Sequence, residues 1–101
     1  MNDIKKIQEM EEILNQAETV LTNVEQSLEI FEQFQSSLAS LFAYYESKEW
    51  MRHYQMDEAE QLPKDMARGV LSEDAVYNTI ARHRELMKKI KELGSKDHSS
   101  I

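Results

Sequence analysis

The sequence predicts an all-α protein. Its parts are a long, heptad-patterned N-terminal helix, a short connecting helix and a C-terminal helix antiparallel to the first, in a hairpin or bundle completed by oligomerisation. Three observations predict it. The 101 residues include two glycines and one proline, too few for the turns of a sheet protein. Apolar residues make up 41% of the chain, which suits a folded domain and not a disordered one. Apolar side chains recur every seven residues through much of the first half. The length allows one domain, expected over residues 1–94 with a disordered tail at 95–101.

The first helix is expected over about residues 3–46. Its a positions are Ile7, Leu14, Leu21, Leu28, Gln35 and Phe42, and its d positions are Met10, Ala17, Val24, Phe31, Leu38 and Tyr45. At 1.5 Å per residue such a helix spans roughly 60 Å. The g positions add Ile13, Val20, Phe34 and Leu41, so the stripe is wider than a two-stranded seam and fits a bundle. Glu11, Glu18, Glu25 and Glu32 fill the e positions as a flanking row of carboxylates. Gln35 interrupts the a series. Either its amide sets a register or a bend, or the helix drifts and turns Gln35 outward while Phe34 and Leu38 take over. The residues favour drift.

The connecting region begins with Ser47, a suitable cap for a short helix over about residues 48–60, with Glu49 in its first turn. Trp50, Met51 and Tyr54 give that helix an apolar side, and Pro63 ends it. Residues 63–69 form a further turn that Gly69 closes in a left-handed conformation. Trp50 is expected to be buried near Leu41 and Tyr45 as the keystone of the region. The last helix, about residues 73–93, is capped by Ser72, with Glu73 and Asp74 at the positive end of its dipole. Its stripe runs through Val76, Ile80, His83, Met87 and Ile90, widened by Leu86 and Leu93, and Gly94 is the expected stop.

The net charge of −7 disfavours nucleic acid and anionic membrane surfaces. It is unevenly spread: residues 1–35 hold eight acids and two bases, whereas residues 82–101 hold three acids and six bases. Antiparallel pairing of first and last helices would set the e-position glutamates against Tyr77, Arg84 and Lys91, and apolar g positions against Leu86 and Leu93. There is no cysteine, hence no disulfide framework, thiolate metal site or thiol nucleophile. No continuous apolar run suggests a signal peptide or membrane span, so a cytoplasmic protein is expected.

Candidate chemistry is sparse. Glu49, His53 and Asp57 share a helix face and could bind a metal or serve acid–base chemistry, but in a chain that is 31% charged a solvated polar face is the better reading. Asp57, Glu58, Glu60 and Asp65 lack the spacing of a calcium loop. His83, at a seam position, reads as a core-edge group before a pH-sensitive one. No phosphate loop or nucleophile triad is present, so no enzyme, cofactor or metal is expected. Tyr44, Tyr45, Trp50, Tyr54 and Tyr77 could line a groove or plug one end of the bundle, with the plug favoured.

The run Tyr44-Tyr45, Ser47, Trp50, Asp57-Glu58, Leu62-Pro63, Asp65 and then Arg68 through Asn78 resembles the bacterial domain-of-unknown-function family numbered 4298. The block Arg68-Gly69-Val70-Leu71-Ser72-Glu73-Asp74 is its most specific part. The resemblance covers nearly the whole chain and implies a small helical bacterial protein without a transferable activity. Two departures stand out: the family pattern has an acid where this chain has His53 and a glycine where it has Glu60.

The expected function is a helical protein–protein interaction or assembly module, a homodimer or a complex with another helical protein. Its candidate surface comprises Ile7, Leu14, Leu21, Tyr44, Tyr45, Trp50, Tyr54 and Tyr77. One alternative is a small helical protein of a type VII-like secretion system. Trp50-Met51-Arg52 lacks the glycine of the Trp-x-Gly turn, and Tyr54 with Glu58 places a Tyr-x-x-x-Glu in mid-chain rather than near the C-terminus. A second alternative is a ligand- or ion-binding protein using the aromatic and acidic connecting region.

Overall fold

The computed structural model describes residues 2–96; the expectation for the tail beyond Lys96 lies outside them. The described residues contain helices α1 (Asn2–Gln33), α2 (Gln35–Tyr45), α3 (Lys48–Glu58) and α4 (Glu73–Ser95), with a 3₁₀ turn at Gly69–Leu71 and no strand. The chain divides into two units, Met1–Leu38 and Ala39–Ile101.

In the first unit, α1 carries the heptad stripe and has no buried residue. The expected single helix is interrupted at Phe34, although Phe34 N–H still donates to Ile30 O and Leu38 N–H to Phe34 O. Gln35 is half-buried and its side-chain amide donates to Phe31 O at 3.1 Å, whereas Phe34 is exposed. The favoured drift is therefore corrected. The amide bonds back onto the carbonyl four residues earlier, one residue past the interruption at Phe34.

The second unit is held by its connecting region. Ser47 has extended backbone and its Oγ accepts from Trp50 N–H at 3.1 Å, capping α3. The same hydroxyl donates to Tyr44 O at 2.6 Å, tying the end of α2 to the start of α3. At the other end, Glu60 N–H donates to Asp57 O and Gln61 N–H to Met56 O. This six-to-one, five-to-two pair is a Schellman ending, which requires a left-handed residue one position past the cap. Glu60 takes that role with φ of 57°, the sole positive φ outside glycine among the described residues. The left-handed ending expected at Gly69 is corrected accordingly. No glycine has a positive φ, and Gly69 instead opens the 3₁₀ turn. Gly94 does not stop α4, which runs on to Ser95; glycine permits a left-handed ending but does not impose one.

The core is small: Trp50, Leu71 and Val76 are the buried hydrophobic residues among those described. Each comes from a different element, α3, the 3₁₀ turn and α4, so the core staples three segments. Ser72 caps α4 by accepting from Ala75 N–H at 3.4 Å. Two further contacts set α4 beside α2: the Phe42 and His83 rings meet edge to face at 5.6 Å, and the Tyr45 hydroxyl donates to Glu73 O at 3.3 Å. The order of the contacts reverses between the helices, so within this unit α2 and α4 run antiparallel.

Candidate interaction surface

The eight candidate residues separate into three groups. Ile7, Leu14 and Leu21 lie on α1 with 67%, 53% and 60% exposure. Tyr44, Tyr45, Trp50 and Tyr54 come together in the second unit. Tyr77 lies on α4, exposed and outside that group.

Trp50 organises the second group. Its ring meets Tyr45 edge to face at 5.1 Å and stacks on Tyr54 at 5.3 Å. Its indole N–H donates to Val70 O at 2.9 Å, which satisfies the polar atom that burial would otherwise orphan. At 4% exposure Trp50 is part of the core, so its place among surface residues is corrected. The Ser47 cap fixes where α3 begins, and from that start the indole of Trp50 reaches the Gly69–Leu71 turn.

The polar residues of α3 are engaged individually. His53 Nδ1 and the Tyr44 hydroxyl share a hydrogen bond of 2.7 Å. Arg68 donates to Asp57 at 2.8 Å across the connecting region, with both side chains about one-third exposed (35% and 28%). Within the supposed face of Glu49, His53 and Asp57, His53 and Asp57 thus turn to different partners, and no group of three His, Cys, Asp or Glu among the described residues is placed to hold a metal. The Tyr54 hydroxyl is held above its ordinary pKa, first by its hydrogen bond to Glu58 and then by the negative charges of Glu58 and Glu73. Beside this cluster lies a cleft of about 270 Å³, lined by Tyr44, His53, Met56, Leu62, Met66 and Leu71 among others.

A further apolar face lies outside the eight candidates. On the C-terminal half of α4, Leu86, Met87, Ile90 and Leu93 are exposed. Its surroundings are basic: the last twenty residues hold six bases and three acids, opposite in sign to the first 35 residues.

No helix among the described residues is long and apolar enough to cross a membrane. No curated protein and no solved structure matches the chain. The family model described as a domain of unknown function, DUF4298, matches residues 7–93, which include the aromatic cluster, the Arg68–Asp57 pair and both capping serines, and the chain belongs to that family.

Proposed function

We propose that this protein is a helical assembly module, most simply a homo-oligomer, acting in the bacterial cytoplasm. The observation that carries this reading is the uncovered stripe of α1, whose large apolar residues are exposed from Ile4 to Ile30. Contiguous apolar surface on this scale marks a partner site. Bacterial origin rests on the family resemblance, and the cytoplasm on the charged, cysteine-free sequence.

Sedimentation equilibrium across micromolar concentrations tests the reading. More than one chain per particle is expected, with the mass falling on dilution; a monomer throughout would refute it. The second reading, a ligand site, has the cleft beside Tyr44 and His53 in its favour. At about 270 Å³ it falls just below the roughly 300–1,000 Å³ of ligand pockets, and it takes second place.

A further inference from the structure

Resting on the assembly reading, we propose that the partner is a second copy of this chain, with α1 of each copy lying antiparallel on residues 86–93 of α4 in the other. Both faces are apolar and exposed in the single chain. Their charges differ in sign. Glu11 and Glu18 flank the stripe on α1, and Arg84 and Lys91 flank it on α4; all four are exposed.

Pairing α1 with α1 does not serve as well. In antiparallel packing e positions face e positions, so two copies of α1 would set glutamate rows against each other, and like charges in register repel. Against α4 the same edge becomes attractive. One register matches both flanking edges. Setting Leu14 opposite Ile90 brings Ile13 beside Leu93 and Val20 beside Leu86. It also brings Glu11 beside Lys91 and Glu18 beside Arg84. A shift of one heptad toward the C-terminus of α1 would put Ser27 opposite Leu86 and lose an apolar pair. The contact is made twice in a two-fold dimer, once from each copy, so the interface closes and no filament follows.

Two charge-reversed variants test the assignment, E11K/E18K on α1 and R84E/K91E on α4. Each alone is expected to keep its helix content by circular dichroism and to raise the dimer Kd by roughly tenfold or more. An equimolar mixture is expected to recover wild-type affinity as a heterodimer, because a basic α1 then meets an acidic α4 and the two unaltered faces meet each other. Rescue by mixing also excludes pairing within one chain. If the wild type assembles but neither variant weakens it, or if mixing restores nothing, the α1–α4 assignment falls while the assembly reading stands. A monomeric wild type would overturn both.

Discussion

Residues 2–38 and the connecting region from Tyr44 to Val76 come from the same chain and have similar shares of apolar side chains, yet they differ in what those side chains do. Along α1 the apolar residues form a regular stripe and none is buried. In the connecting region the pattern is irregular, and there Trp50, Leu71 and Val76 are buried. Regularity and burial are thus separated. A heptad repeat prepares a face for another helix, whereas a folded corner needs irregular placement: a large ring, a turn that meets it and a cap that aims it.

The contrast breaks most sharply at Trp50. Trp50→Ala removes the ring that joins α3 to the 3₁₀ turn and to Tyr45 of α2, and it leaves the Val70 carbonyl without its donor. A loss of about 3–5 kcal/mol is expected, visible as a lower melting temperature at every protein concentration. Leu14→Ala, at a position 53% exposed in the single chain, is expected to act on assembly instead, so that its effect on melting grows with concentration. If the two substitutions shifted melting equally in dilute protein, the stripe of α1 would belong to a core and the comparison would fail.

A smaller effect concerns backbone conformation. Glu60 holds a left-handed φ of 57°, which costs a residue with a Cβ roughly 1–2 kcal/mol. Glu60→Gly is expected to stabilise the protein by about 1 kcal/mol. Gly94 is helical, and a Cβ built on it meets nothing within 4 Å. Gly94→Ala is expected to add roughly 0.5 kcal/mol, toward the low end for a helical glycine because the last turn frays. Chemical denaturation of the two variants measures both, and a destabilising Glu60→Gly would contradict the Schellman ending of α3.

These positions also show how much was legible in the sequence. The helices were legible from periodicity in α1, from a capping serine in α3 and from both in α4; Ser47 and Ser72 both accept the backbone N–H three residues on. The burial of Trp50 was legible from its size at a corner. The left-handed residue was not, because both Glu60 and Gly69 precede or follow plausible endings, and only the hydrogen bonds from Glu60 and Gln61 decide which one is used. The Tyr44–His53 and Arg68–Asp57 pairs were hidden for another reason: each joins residues whose meeting depends on how the corner folds and not on helix spacing. The inward Gln35 was hidden too, because its amide bonds to a backbone carbonyl four residues earlier, a contact that periodicity does not register. For α1 the stripe, its charges and the exposure of Ile7, Leu14 and Leu21 were readable; that Leu86 and Leu93 of α4 would also be exposed was not.

The smallest effect belongs to Tyr54, which stacks on the keystone ring. Its pKa lies above the ordinary 10.0, first through the hydrogen bond to Glu58, then through the charges of Glu58 and Glu73, with burial and Asp57 adding in the same direction. The neutral phenol is therefore favoured in the folded state. A raised folded pKa contributes stability that is present below the unfolded value and lost as pH rises through the folded one, so the contribution holds at neutral pH and its loss is confined to the alkaline limb above about pH 10. An ultraviolet titration of the wild type minus that of Tyr54→Phe isolates this phenol, and its midpoint is expected above 10.0. Glu58→Gln removes both the carboxylate acceptor and the nearest negative charge, and is expected to bring the midpoint down. A Tyr54 that titrates below 10.0 in the wild type, or one that ignores Glu58→Gln, would show that the stacked ring and its acid are not held together in solution, and that the corner is looser than the burial of Trp50 requires.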